Sequence, residues 1–155
     1  MNNEWMSHPD PSRNAGNVKQ WNKKVEIYRK RFNKRLELAI WYEDQLCCLM
    51  LGRVSRRNAI TGLYFIDGNY GTKLLKGRRL EIATTYLDTF SVALSVEWTA
   101  IREPYCAVEP LYKQLGYTEK DPYDKNLDAL CKRVYMKNPQ SLQGDIEQTV
   151  RIANF

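Results

Sequence analysis

The stretch with the clearest chemical character runs from Val96 to Tyr117, VEWTAIREPYCAVEPLYKQLGY: a β-type run, a proline-bearing loop and a brief helix. It sets one phenol, Tyr112, on a helix just past a strand end, where open α/β sheets tend to gather ligands. A phenol of pKa about 10 can serve as proton donor to a somewhat more acidic leaving group. Gly116 fits the glycine that ends a helix and turns the chain into its next element. Other chemistry is thin. His8 is the single histidine and sits just before Pro9 near the N-terminus, which disfavours Ser–His–Asp and Cys–His catalysis and mononuclear zinc hydrolysis. Cys47, Cys48, Cys106 and Cys131 form no CxxC pair. Adjacent Cys47 and Cys48 point to opposite faces of a strand, so reduced, buried thiols and no metal site are expected.

Positive charge is the other chemical resource. The net charge is +6 at pH 7. Lys19, Lys23, Lys24, Arg29, Lys30, Arg31, Lys34 and Arg35 cluster with Glu26 as their only acid, and Lys73, Lys76, Arg78 and Arg79 form a second group. Such density suits an anionic partner: a nucleotide cofactor, RNA, DNA or an acidic protein. Taken alone, the first cluster reads as the solvated face of a helix.

The elements that must position these groups follow from the periodicity. At 155 residues, with 43% hydrophobic and 27% charged residues, the chain suits one domain with a real core. Residues 1–17 read as a flexible arm, 18–136 as the domain and 137–155 as a tail with one helical turn around Ile146–Ile152. From Val18, Trp21, Val25, Tyr28 and Phe32 fall on one helical face, which makes Trp21 and Phe32 core anchors. Leu36–Trp41 and Leu46–Leu51 read as a hairpin, and Ala59–Asp67 as a third strand in which Gly62 hints at a bulge or a close backbone approach. A helix from about Lys76 to Leu94, a strand Val96–Ile101 and a short helix Val108–Leu115 come next. Tyr117–Lys120 and Asp128–Met136 complete an antiparallel pair. The fold class is therefore mixed α/β (α+β): a mostly antiparallel sheet of about six strands flanked by helices.

This order, over roughly residues 36–136, together with Leu111-Tyr112-x-x-x-Gly116-Tyr117, resembles the GNAT (Gcn5-related) N-acetyltransferases, whose acyl-CoA site ends in an LYxxxGF/Y helix. The resemblance implies that Ala59–Asp67 and Val96–Ile101 splay apart around acyl-CoA, with a backbone N–H near Phe65 or Ile66 polarising the thioester carbonyl. It places the pyrophosphate at the start of the long helix, where free N–H groups and the helix dipole favour anions. There the family's Q/R-x-x-G-x-G/A loop corresponds to Leu74-Leu75-Lys76-Gly77-Arg78-Arg79. Gly77 is retained, Leu74 stands for Gln or Arg, and Arg79 stands for the last Gly or Ala, while Lys73, Lys76 and Arg78 supply compensating charge. The cofactor-binding set implied is Phe65, Ile66, Lys76, Gly77, Arg78 and Arg79, with Tyr112 as the acid that protonates the departing thiolate. Asp67, Glu43, Glu97 and Glu103 are available as bases, and none is assigned. Only some 35 residues precede Leu36, so the family's first strand is missing or displaced and the acceptor side is open to a large substrate.

The activity implied is acyl-CoA-dependent N-acyl transfer, with acetyl-CoA or another acyl-CoA as donor and an amine attacking directly, a protein or an aminoacyl-tRNA being candidate acceptors. The alternative is a catalytically inactive GNAT-like module that binds a nucleic acid or an acidic protein through its basic N-terminal helix, with Lys23, Lys24, Arg31, Lys34 and Arg35 as contacts. A homodimer is compatible with either reading. No apolar run approaches the ~18 residues of a membrane span, and the N-terminus does not read as a secretory signal, so cytoplasmic residence is expected.

Overall fold

The computed structural model describes residues 18–134. The first helix, α1 (Val18–Arg31), carries Arg29, Lys30 and Arg31 in its last turn, where cations complement the helix dipole. Three antiparallel strands follow: β1 (Arg35–Tyr42), β2 (Gln45–Val54) and β3 (Ile60–Gly68). Helix α2 (Arg79–Ala93) then crosses over to β4 (Trp98–Arg102), which pairs parallel with β3. A 3₁₀ turn (Cys106–Val108) leads into α3 (Glu109–Gln114), and β5 (Ala129–Arg133) closes a sheet of order β1-β2-β3-β4-β5.

Among the described residues the sheet therefore has five strands, not six. Tyr117–Lys120 contributes one antiparallel bridge, Glu119 to Cys131, instead of a strand. Immediately beyond it, the Asp121 carboxylate accepts the backbone N–H groups of Tyr123 and Asp124 at 2.8 and 3.0 Å and turns the chain away. Helix α2 starts at Arg79 and not Lys76, because Leu75 and Gly77 adopt left-handed backbone at φ of 54° and 84°. Strand β4 starts at Trp98 and not Val96: the Val96 N–H bonds back to the Ser91 carbonyl at 2.9 Å to close the end of α2. The arm 1–17, the end of the last predicted strand at Tyr135 and Met136, and the tail with its helical turn lie outside the described residues.

Each face of the sheet carries its own core. On one side Trp21 and Tyr28 of α1 pack on Leu46, Leu49 and Leu51 of β2, so Trp21 is the anchor its spacing indicates. On the other, Ala83 and Leu87 of α2 meet Leu36, Met50, Leu63 and Ile101, and Tyr112 and Tyr117 join the same cluster. Complete burial of a side chain such as Leu87 is worth about 1.5–3 kcal/mol.

One irregularity shapes everything downstream. Between β2 and β3 the register runs Leu51 to Phe65 and then Gly52 to Leu63, so Tyr64 is an extra residue on β3. Consecutive Tyr64 and Phe65 consequently pack toward α1 together, which a regular alternating strand would forbid. Gly62 is not the bulge itself. It provides the close approach: a Cβ there would come within 2.7 Å of the Tyr64 ring.

Candidate functional site

The bulge coincides with the end of the parallel pairing. β3 and β4 are joined from Ile60–Trp98 to Leu63–Ile101 and no further, although β3 runs on to Gly68. From Tyr64 onward, the β4-facing edge of β3 has no strand partner, and backbone polar groups on such an edge need another one. The two strands thus part in a V. In the opening lies a cleft of about 840 Å³, within the range of roughly 300–1,000 Å³ usual for ligand pockets.

Phe65 and Ile66 form the β3 wall of this cleft, and Lys76, Gly77, Arg79 and Leu80 line its α2 end. Val108, Leu111, Tyr112 and Leu115 form the wall contributed by α3 and the turn before it. The structure therefore brings Tyr112, Phe65, Ile66, Lys76, Gly77 and Arg79 around one cavity. Arg78 is the exception. It is exposed, precedes the first residue of α2 and faces Glu81 at 3.9 Å.

At the α2 entrance, Arg79 stands where the GNAT loop pattern has its last small residue. No side chain caps the start of α2, so its first-turn N–H groups lack intrahelical acceptors and point outward. Gly77 leaves open space within 4 Å of where a Cβ would stand. Arg79 folds back onto the loop instead of over the helix end. Its guanidinium donates to the carbonyls of Asn69 (3.0 Å), Thr72 (2.7 Å) and Leu74 (2.7 and 3.1 Å) and lies against Gly68, where a Cβ would be 2.9 Å from Nη1. One side chain thereby pins a loop that holds a non-glycine residue, Leu75, in left-handed backbone. These residues fit a pyrophosphate: open amides, an exposed lysine and a backbone free of obstructing side chains.

Tyr112 is 2% exposed. Burial pushes its phenol well above the ordinary range, and neighbouring Cys48 adds to the effect. Burial also raises the Cys48 thiol to about 12, against the pull of the Arg79 charge, so Cys48 is an inert part of the cleft wall. Of the four carboxylates considered as bases, Glu103 alone lines the cleft. Asp67 is buried and accepts the Trp21 indole N–H at 3.5 Å. Glu97 is paired with Arg133, and Glu43 lies exposed in the β1–β2 turn.

The basic N-terminal face is partly consumed by ion pairs. Arg29 and Arg35 both bond Glu37, and Lys30 bonds Glu26. Lys23, Arg31 and Lys34 remain exposed, with Lys34 donating to Asn58. Lys24 belongs to the cleft instead, its ammonium 5.1 Å from the Phe65 ring centre. Burial lowers its pKa, opposed by the charge of Asp67. Cys47, Cys48 and Cys131 are buried thiols, whereas Cys106 is exposed on the turn before α3.

Sequence reasoning missed Arg102, Lys24 and Tyr64 as parts of the site. Their roles depend on register and on a bulge, neither of which leaves a local signal. Among the described residues no helix is long and apolar enough to cross a membrane.

Several solved structures share this architecture. An aminoglycoside 6'-N-acetyltransferase complexed with coenzyme A matches with a TM-score of 0.57 at 11% identity, over 79% of this chain and 83% of that one. An aminoglycoside 6'-acetyltransferase type Ii matches with a TM-score of 0.56 at 13% identity, over 77% and 83%. A putative acyl-CoA N-acyltransferase from Klebsiella pneumoniae subsp. pneumoniae MGH 78578 gives 0.52 at 11% identity, over 78% and 93%. No family model matches the chain, and no curated protein matches it by sequence. The chain has the GNAT fold.

Proposed function

We propose that this GNAT-fold chain is an acyl-CoA-dependent N-acetyltransferase that acts by direct attack of an amine. The observation that carries the reading is the parting of β3 from β4 after Leu63 and Ile101, with Tyr112 on the wall of the resulting cleft. Acyl-CoA, when bound, supplies the activated acyl group. The chain's own parts then divide the work. The unpartnered edge of β3 from Tyr64 onward offers N–H and C=O groups to amides laid along it, and an N–H near Phe65 or Ile66 is placed to polarise a carbonyl. The first-turn amides of α2, with Lys76, would hold a diphosphate. Tyr112 keeps its proton over the whole physiological range, because burial raises its pKa. It is accordingly a hydrogen-bond donor that stabilises a leaving sulfur, more than an acid that surrenders its proton completely.

The direct test is ligand-induced stabilisation. Acetyl-CoA at 100 times its Kd should stabilise the folded chain by about 2.7 kcal/mol, and an amine should then release free CoA. Absence of any thermal shift at millimolar acetyl-CoA would remove the assignment.

A further inference from the structure

The cleft is lined from both faces of the sheet, and the α1 side carries a feature that holding a cofactor does not explain. Along β4 alternate residues share a face, so Trp98, Ala100 and Arg102 point opposite to Thr99 and Ile101. Ile101 packs with Tyr112 in the core beneath α2. Arg102 therefore emerges on the α1 side, and its Cγ lies 3.5 Å from where a Cβ on Gly62 would stand, next to the Tyr64 ring. It lines the cleft together with Lys24 and Phe65.

Arg102 is held unusually firmly for a residue at the rim of a cavity. Its Nη1 donates to Asp121 Oδ2 at 2.7 Å, while Asp121 Oδ1 accepts the N–H groups of Tyr123 and Asp124. Asp121 is 2% exposed, so it fixes the point about which the guanidinium can turn. Yet the Nε of Arg102 is buried with no hydrogen-bond partner, the one such side-chain atom among the described residues. An unmet buried donor is costly, and a guanidinium presents its donors as a fork matched to paired oxygens. The next residue, Glu103, is an exposed carboxylate on the same cleft wall, suited to drawing in an ammonium.

We infer that Arg102 is the specificity-determining residue for the acceptor, and that the acceptor is an amine which also carries an anionic oxygen group, a carboxylate or a phosphate. A small rotation about its Asp121 contact turns the unmet Nε to that group, while Glu103 faces the amine. This deepens the acetyltransferase reading and rests on it for the identity of the α2-side ligand. Arg102 itself is a binding residue and takes no part in bond making.

The test uses matched pairs of small amines titrated into the full-length protein by calorimetry, with and without CoA: β-alanine against propylamine, and phosphoethanolamine against ethanolamine. At least one anionic member should bind more than about tenfold tighter than its neutral partner, and the pair that shows the gap distinguishes carboxylate from phosphate. Arg102→Gln should erase the gap. Because that change leaves Asp121 unpaired, the double variant Arg102→Gln/Asp121→Asn serves as a second, charge-balanced form with the same expected loss. Arg102→Lys should restore part of the preference. Equal binding within both pairs, a gap that survives in the double variant, or no binding of any probe overturns the inference. Failure of CoA to bind in the same titrations counts separately, against the acetyltransferase assignment.

Discussion

The rings of Tyr112 and Tyr117 meet edge to face at 6.4 Å and 77°, but their hydroxyls have different occupations. Tyr117 donates to Asp88 Oδ1 at 2.6 Å within a group that includes Thr99 and Lys132, whose ammonium bonds Asp88 Oδ2 at 2.7 Å. Tyr112 stands within α3, on the wall of the cleft. Two buried tyrosines five positions apart thus separate into a structural one and a functional candidate.

Tyr112→Phe should lower kcat by roughly 10²-fold, the lower end for a positioned proton or hydrogen-bond donor. The Kd for acetyl-CoA should stay within about twofold, since the ring that fills the wall remains. Steady-state kinetics with equilibrium binding checks this, and unchanged turnover would remove Tyr112 from the reaction.

Tyr117→Phe should behave oppositely. It takes away a short hydrogen bond to Asp88, and denaturant unfolding should show a loss of about 1–2 kcal/mol. Acetyl-CoA affinity should be unchanged. A larger effect on turnover than on stability would contradict the division of labour between the two phenols.

At Gly77 the backbone and the ligand can be separated. Gly77→Ala must hold a Cβ at φ of 84°, which costs about 1–2 kcal/mol of stability but meets open space. Gly77→Glu carries the same strain and adds a negative charge at the helix entrance. Acetyl-CoA should bind the Glu variant at least about tenfold more weakly than the Ala variant. Equal affinities would place the diphosphate elsewhere.

Arg79→Ala removes the four bonds that pin the loop from Asn69 to Leu74. A loss of about 2–3 kcal/mol is expected, together with weaker acetyl-CoA binding and faster amide hydrogen exchange confined to residues 69–78. Exchange that stays at the wild-type rate there would show that the loop does not depend on Arg79.

Acid stability should depend on Asp121. Burial alone would raise its carboxyl, but the Tyr123 N–H, Arg102 and the Asp124 N–H together hold it below the usual carboxylate range. A depressed folded-state pKa contributes stability above the unfolded value of about 3.9 and loses it as pH falls through the folded value. Asp121→Asn should therefore be less stable than wild type at pH 7, with the difference shrinking as the pH drops below about 4. A constant difference from pH 7 to pH 2 would exclude this linkage.

The sequence by itself determined most of the elements, because those rest on short-range physics, while the donor-side candidates are what the resemblance implies. The spacing of Trp21, Val25 and Tyr28 makes α1 amphipathic whatever lies around it. Gly116 ends α3 at a φ of 95°, and the order of strands and helices limits the topologies that can close. Tertiary structure alone decided the opening between the strands. The bulge at Tyr64 arises from the register of β2 against β3, a relation between residues more than ten positions apart that no local pattern encodes. The fate of the arginines was equally hidden. Arg79, which stands where the GNAT pattern has a small residue, staples the loop before α2, while Arg102 carried no signal until Asp121, 19 residues later, folded back onto it. A side chain's charge is written in the sequence, but its partner is set by three-dimensional proximity. In this chain the partner separates a cation that holds the fold from one placed to meet a ligand.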